Sequence, residues 1–296
     1  MKINTGNENR GKNPFANVFD NIGDIRTNKN ILIGVSIVIL LTFTTVFAPF
    51  VAPHDPAEQN LEKRLSPPND EYPLGTDHFG RCMFSRLVYG TRTSLAIAIA
   101  VSAIVVSIGT ILGMIAGYYS RADNIVMRTA DITLAFPSIV LALAIVGMLG
   151  PSIPNIIIAL SATGWAKYAR LVRGTTLSIK EKEFIESARA LGCNDAYIMF
   201  RHILPNCVTP ITVIATLGIG GKIISIAGLG FLGLGVQPPT PEWGTMIKGG
   251  LPLLQIAPHI VIFSGLMIMI TVLAFNLLGD GLRDALDPRL RQVTIE

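Results

Sequence analysis

Long uncharged apolar runs alternate with short polar segments along this 296-residue sequence. About 20 apolar residues in a row are enough to cross a bilayer as a helix. The runs predict six spans, at residues 31–53, 94–119, 132–149, 155–171, 208–234 and 257–278. The predicted fold class is therefore all-α: a polytopic membrane protein with about six transmembrane helices.

The uncharged run 132–166 is too long for one ordinary span. Gly150, Pro151 and Pro154 interrupt it, and such residues mark turns between regular elements. We therefore predict two spans here, with a tight turn between them. The polar residues 120–131 before the run are predicted to be a short charged connector.

Small residues recur at every fourth position in the second apolar run. Gly109, Gly113 and Gly117 would lie on one face of a helix. Such a flat stripe permits close helix packing in lipid. The second span is therefore predicted to lie inside the bundle.

Composition supports a membrane protein and narrows the possible functions. Half of the residues are hydrophobic, 15% are charged, and the mean hydropathy is +0.52. Soluble domains carry roughly 25% charged residues. The net charge of +4 does not indicate nucleic-acid binding, because the basic residues lie in short loops beside apolar runs and aromatic residues are only 7%. Cys82, Cys193 and Cys207 form no C-x-x-C pair, so they predict neither a metal site nor a disulfide framework.

Residues 183–206 form an amphipathic segment between two apolar runs. We predict a short helix, a break at Gly192, a second helix and a stop at Pro205, which lacks an N–H. An exposed apolar stripe on the aqueous side of a membrane protein requires a partner groove; the alternative is an ordinary surface helix between two spans. Residues at near-helical spacing predict that apolar face: Phe184, Ile185, Ala188 and Leu191.

The same segment carries a recognisable spacing. Its residues resemble the "EAA" loop, E-A-A-x3-G-x9-I-x-L-P, of ABC-importer permeases, with Ser187 in place of the first alanine and His202 in place of isoleucine. In that family the loop is a coupling helix that docks into a cytoplasmic ATPase. The resemblance implies six ATPase-coupling residues: Glu186, Ser187, Ala188, Gly192, Leu204 and Pro205.

Three further blocks resemble the peptide/nickel subgroup of these permeases, so that the resemblance covers residues 30–291. They are YPLGTDHFGRCMFSRLVYGTRTSL from residue 72, FLGLGVQPPTPEWG from residue 231 and LLGDGLRDALDPRLR from residue 277. Trp243, in the second of these blocks, is expected at a bilayer interface. Cys82 stands where the subgroup typically has aspartate. We expect Asp77 and His78 in the first block to form a turn that caps a helix, and one histidine with one aspartate is too few ligands for a closed metal site.

The resemblance also implies an organisation of the chain. It implies the type I ABC importer permease fold, in the plasma (inner) membrane. The expected segments are a cytoplasmic tail (1–30), a first transmembrane helix (31–53), an extracytoplasmic segment (54–92), a core permease domain (93–280) containing the coupling loop (174–206), and a cytoplasmic tail (281–296).

Charge supports an orientation with both termini in the cytoplasm. With the N-terminus inside, most of the 24 basic residues fall in the tails and in the loops 120–131 and 167–202 on the same side. This agrees with the positive-inside rule. The orientation also brings the predicted coupling loop to the side where ATP is available.

The sequence lacks the motifs of an enzyme. It has no Walker A sequence, no G-x-S-x-G elbow and no H-E-x-x-H pair. The chain is therefore predicted to be a non-catalytic subunit without a cofactor of its own. ATP and Mg²⁺ would bind to two partner ATPase subunits, and the family also implies a second homologous permease and an extracytoplasmic solute-binding protein. The alternative, a stand-alone secondary transporter, would be expected to carry intramembrane carboxylates, and the predicted spans contain no Asp or Glu.

Lys222 lies inside the fifth predicted span. A cation in a membrane span usually faces a cavity or a partner, so Lys222 is a candidate for the translocation path; a structural pair, or a side chain that extends to water, is the alternative. Peptides and nickel or a metal chelate both remain possible cargo. Peptide permeases often have an acidic residue where Ile226 and Ala227 stand, which favours the nickel branch.

Overall fold

The structure is a computed structural model that describes residues 29–286. Helices dominate this part of the chain, which contains no β-strand beyond an isolated bridge between Thr76 and Cys82. The predicted tails lie mainly outside it. The helices are α1 (Lys29–Val46), α2 (Ala48–Val51), α3 (Met83–Tyr118), α4 (Ser120–Ala135), α5 (Ser138–Leu149), α6 (Ile153–Lys180), α7 (Glu183–Ala190), α8 (Asp195–Tyr197), α9 (Leu204–Phe231), α10 (Trp243–Gly250) and α11 (His259–Leu286), with 3₁₀ turns at Leu61–Lys63 and Leu251–Leu253.

The all-α prediction is confirmed, and the helices are compatible with six spans. By length and apolarity, four helical stretches of the described part can cross a membrane, and a fifth is added if α4 and α5 together form one bent span. The remaining predicted span, 155–171, corresponds to α6. Its second half carries the charged residues Lys167, Arg170 and Arg173, which lower its mean hydropathy.

Several predicted boundaries were wrong. The second span was expected to begin at residue 94, but α3 begins at Met83 because the polar residues before 94 continue the helix. The predicted connector 120–131 is helix α4. The predicted span 132–149 is broken before Pro137, where α4 and α5 meet at 90°; the residue before a proline is driven out of the helical conformation.

Helices α3 and α6 meet along the predicted glycine stripe, which is confirmed. A Cβ atom added at Gly109 would lie 2.5 Å from Tyr168 Cβ, and one at Gly117 would lie 2.6 Å from Thr176 Cβ. At Gly113 the clash would be with the backbone carbonyl oxygen of Ala169. No side chain larger than hydrogen fits at these positions, so the two helices approach at backbone distance. We call this contact the glycine seam.

Helix α1 packs on α11 at the other side of the bundle. A Cβ atom at Gly34 would lie 2.8 Å from the backbone nitrogen of Leu278 and 2.9 Å from the carbonyl oxygen of Ala274. Helix α9 packs on α11 too, where Gly279 faces the side chain of Leu217. These contacts fix the first span against the last.

The segment between α2 and α3 folds onto α10 and α11. His259 Nε2 lies 3.0 Å from the carbonyl oxygen of Thr76. Trp243, which was expected at a bilayer interface, is instead fully buried, with its indole nitrogen donating to the carbonyl oxygen of Leu87 at 3.3 Å. Gly90 permits this, because its missing side chain leaves space for the indole ring. The interface prediction for Trp243 was therefore wrong.

Candidate functional site

Segment 183–206 contains the predicted helix and the predicted break at Gly192. Helix α7 ends before Gly192, which has a φ of +80°. The Gly192 N–H donates to the carbonyl oxygen of Arg189 at 2.9 Å, and the Cys193 N–H donates to that of Ala188 at 3.1 Å. These two bonds form a Schellman motif, in which glycine supplies the left-handed residue that ends the helix.

The second helix of the segment does not stop at Pro205, and this prediction was wrong. Helix α8 is capped at its start by Asn194, whose side chain accepts from the Tyr197 N–H at 2.7 Å. It continues through a π-helical turn, Ile198–Ile203, into α9. Pro205 lies in the first turn of α9, where a missing N–H is tolerated. Residues 195–231, the second half of the segment and the next predicted span, are therefore one continuous helical stretch.

The predicted single apolar face divides into two. Ile185 and Ala188 are buried in a cluster with the ends of α3 and α6. Phe184 is 43% exposed and Leu191 is 84% exposed. The inner pair thus anchors α7 to this chain. Leu191 stays largely open, and Phe184 is partly covered by the ring of His202, with 6.1 Å between the ring centres.

The six predicted coupling residues lie on different sides of this arrangement. Glu186 and Ser187 are exposed, and the Ser187 hydroxyl donates to the carbonyl oxygen of Glu183 at 3.0 Å. Ala188 is buried, while Leu204 and Pro205 are half-buried. Gly192 is exposed, with open space around the position of a Cβ atom. The structure therefore brings the six into one segment without joining their side chains into one cluster.

Two tyrosines that sequence reasoning missed attach the segment to the bundle. Tyr118 donates to Asp195 Oδ1 at 2.7 Å, and Tyr119 donates to Asp195 Oδ2 at 3.0 Å. Lys180 donates to the carbonyl oxygen of Tyr118 at 3.0 Å, and the guanidinium of Arg189 lies 5.6 Å from the centre of the Tyr118 ring. Two adjacent tyrosines at the end of an apolar run are the feature of the sequence that could have indicated this attachment.

Those bonds locate the segment at one end of α3. With 36 residues and a rise of about 1.5 Å per residue, α3 is about 54 Å long. Tyr118 is its last residue and Met83 its first. Segment 183–206 and the loop that precedes Met83 therefore lie at opposite ends of a helix long enough to cross a membrane.

Lys222 is half-buried in α9 and faces α6. Its ammonium group donates to the Tyr168 hydroxyl at 3.3 Å and to the carbonyl oxygen of Gly218 at 3.3 Å. It also lies 5.3 Å from the centre of the Tyr168 ring. Within residues 29–286 no carboxylate pairs with it. The hydroxyl and the ring solvate the cation only in part.

Comparison with known proteins identifies the family. The family described as "Binding-protein-dependent transport system inner membrane component" matches residues 109–292, more than half of the chain. The family described as "N-terminal TM domain of oligopeptide transport permease C" matches residues 23–68.

Relatives of similar length are also found. The chain is 47% identical over 268 residues to a dipeptide transport system permease protein of Alkalihalophilus pseudofirmus, covering 90% of this chain and 88% of the relative. It is 48% identical over 256 residues to a glutathione transport system permease protein of Pectobacterium atrosepticum, covering 86% and 85%. It is 44% identical over 273 residues to a di/tripeptide transport system permease protein of Pseudomonas aeruginosa, covering 89% of each.

The fold, the helix–Gly–helix segment at one end of the bundle and these matches agree. The chain belongs to the inner-membrane components of binding-protein-dependent transport systems and is a transmembrane permease subunit of an ABC importer.

Proposed function

We propose that segment 183–206 is the surface through which this permease is driven by two ATP-binding partner subunits. The observation that carries the proposal is the exposure of large apolar side chains in a segment that is otherwise well anchored. Besides Leu191 and Phe184, Phe200 is 61% exposed and Tyr197 is 49% exposed. An anchored segment with uncovered apolar side chains is suited to dock into a groove of a partner.

The anchoring makes the proposed contact mechanically useful. Ile185 and Ala188 are held against the ends of α3 and α6, and Asp195 accepts two tyrosine hydroxyls. A displacement of α7 would therefore move the ends of both helices. ATP and Mg²⁺ would bind to the partner subunits, which supply the hydrolysis that this chain is expected to lack.

Replacement of Leu191 by aspartate tests the docking surface. Because the side chain is 84% exposed, the substitution should leave folding intact but place a charge in an apolar contact. We expect the ATPase subunits to co-purify poorly and ATP-dependent uptake to fall by about tenfold or more. The matched control for co-purification is Leu61→Asp, at a side chain that is 65% exposed near the Met83 end of α3, which the ATPase subunits would not reach. Unchanged co-purification and uptake in Leu191→Asp would contradict the proposal.

The proposed orientation places segment 183–206, and with it both termini, in the cytoplasm. It is supported by the excess of basic residues in the loops on that side. The loop before Met83 and the start of α10 would then face outward, towards an extracytoplasmic solute-binding protein. A second, homologous permease would complete the membrane part as a heterodimer.

We infer that the cargo is a short peptide. The support is the names of the relatives, which are permeases for dipeptides, di/tripeptides and glutathione, at 44% to 48% identity. The nickel alternative rests on the missing acidic residue at Ile226 and Ala227. The uptake of a labelled dipeptide and of nickel is measured in a strain that lacks the gene, before and after the gene is restored. The comparison decides between the two kinds of cargo. Restoration of nickel uptake alone would overturn the peptide assignment.

We propose that Lys222 lines the translocation path. A half-buried cation without a carboxylate partner in the described part of the chain is suited to contact an anionic group of the cargo.

A further inference from the structure

A cavity of about 350 Å³ lies at the Met83 end of α3, between the preceding loop and helix α10. It is remote from segment 183–206, which lies beyond the far end of α3. Its volume is within the range of small-molecule binding sites, which starts at about 300 Å³. The polar side chains that line it include His78, Arg81, Arg86 and Lys248.

The floor of the cavity has more positive than negative charge. Asp77 is 4% exposed and accepts from the backbone N–H groups of Phe79 and Arg81 and from Arg81 Nε at 2.7 Å. Arg86, itself 6% exposed, places Nε 3.5 Å from the same carboxylate. One carboxylate therefore faces two buried guanidinium groups. A buried charge that lacks a full partner favours a counterion from outside.

The rim adds a third cation. Lys248 lines the cavity and is exposed, and its ammonium group makes no hydrogen bond or ion pair with any residue between 29 and 286. The nearby Glu242 forms no ion pair with Lys248. The Glu242 carboxylate is buried and accepts from the Gly244 and Thr245 N–H groups at 2.8 Å each, at the start of α10.

A histidine of the lining has an unused polar atom. His78 Nδ1 is buried and has no hydrogen-bond partner in the described structure. Loss of solvation on burial lowers the pKa of His78, so the ring is neutral near pH 7. The atom has almost no exposed surface of its own, so it does not open onto the cavity, and the neutral ring adds no charge to the lining.

The rest of the lining is apolar. Met83, Met246 and Ile260 are buried and contribute to the wall, together with the ring of Phe79. The cavity therefore combines cations with an apolar wall. A molecule that carries a carboxylate next to a hydrophobic side chain matches both parts.

We propose that this cavity binds the free C-terminal carboxylate of an arriving short peptide, with the side chain of its last residue against Met83, Met246 and Ile260. The proposal rests on the proposed peptide cargo and on the outward orientation of this end of α3. Lys248 at the rim would meet the carboxylate first, and the guanidinium groups of Arg81 and Arg86 would hold it from below. A single carboxylate side chain from a binding protein would leave most of the 350 Å³ unfilled.

A photoreactive dipeptide tests the site directly. The complete transporter, without its solute-binding protein, is placed in nanodiscs of phosphatidylcholine, which has no net charge. Alanyl-benzoylphenylalanine is then supplied as the free acid or as the C-terminal amide. Benzophenone reacts readily with methionine, so labelling of Met83 and Met246 is measured by mass spectrometry against probe concentration.

We expect the free acid to reach half-maximal labelling at about tenfold lower concentration than the amide, because hydrogen bonds to charged groups are the stronger ones. Lys248→Met should raise the half-maximal concentration of the acid about fivefold and leave that of the amide unchanged. Lys248→Arg keeps the positive charge, so the half-maximal concentration of the acid should return to the wild-type value. The matched control is Lys63→Met, which removes an exposed cation that is paired with Glu71 at 3.4 Å.

Two results would overturn the proposal. They are equal labelling by the acid and the amide, and a half-maximal concentration of the acid that does not change in Lys248→Met. Uptake of a dipeptide by the complete system is measured separately. If uptake is absent while the acid labels as expected, the peptide cargo is wrong and the carboxylate site stands.

Discussion

The glycine seam and segment 183–206 both depend on glycine, but in different ways. At the seam, the neighbouring helix requires glycine at positions 109 and 117, since a Cβ atom there would meet α6 within 2.6 Å. At Gly192 a Cβ atom would meet nothing within 4 Å, and only the φ of +80° requires glycine. The seam is complete within this chain. The segment has a defined shape but an uncovered surface, which is what a contact with a separate subunit requires.

The largest effect is expected where the seam is overfilled. Gly113→Leu would force a side chain into the carbonyl oxygen of Ala169, and overpacking of this kind costs about 3 kcal/mol or more in the free energy of unfolding. The yield of monodisperse protein and its melting temperature in detergent measure this. The control is Gly265→Leu in α11, where a Cβ atom has open space. Equal losses of yield and melting temperature in both variants would show that the seam is no more sensitive to a larger side chain than an open position of α11.

A smaller loss of stability but a large loss of transport is expected at Gly192. In Gly192→Val a β-branched residue must adopt φ near +80°, which costs about 1–2 kcal/mol locally and distorts the end of α7. Uptake should fall about tenfold while membrane insertion is retained. Gly192→Asn, which tolerates this conformation better, should keep most of the activity. Wild-type uptake by Gly192→Val would argue against the docking role.

Lys222 lies at the end of the seam that is farther from the segment, because it contacts Tyr168, the residue that faces Gly109. If it lines the path, Lys222→Met should reduce uptake about fivefold with little change in melting temperature, because the bonds it loses are only two contacts at 3.3 Å. Lys63→Met, at an exposed lysine of the loop before α3, is the control. A lowered melting temperature with normal uptake would identify Lys222 as a structural residue.

The smallest effect is expected at the polar border of the seam. Arg173 of α6 donates from Nε and Nη2 to the two carboxylate oxygens of Asp123 in α4, at 2.5 and 2.6 Å. Because the pair is partly exposed, Asp123→Asn should lower the free energy of unfolding by only about 0.5–1 kcal/mol. A double-mutant cycle with Arg173→Gln measures the coupling. A loss comparable to that of Gly113→Leu would make the ion pair, rather than the glycines, the main contact.

Sequence patterns predicted the structural features that depend only on residues close together in the chain. The stripe of Gly109, Gly113 and Gly117 and the break at Gly192 were both found, because each is a local pattern with one physical reason. Helix α4 was not predicted, because charged residues between two apolar runs are equally typical of a loop. Pro205 was placed at a helix end, because the π-helical turn that precedes it leaves no signal in composition.

Contacts between distant residues could not be predicted in the same way. The bonds from Tyr118 and Tyr119 to Asp195 join positions more than 70 residues apart, and nothing local couples them. The cavity beside Lys248 likewise requires the loop before α3 and the start of α10 to meet. Trp243 was misplaced for the same reason, since its burial depends on the space left by the distant Gly90.

Helix α3 runs without interruption from Met83, at the cavity, to Tyr118, at the segment. It contains no proline, and an α-helix without a break resists bending far better than a hinged one. Docking of ATPase subunits on segment 183–206, as proposed above, would therefore move the cavity at the far end of α3 by the same rigid rotation, with no relay of side chains between the two.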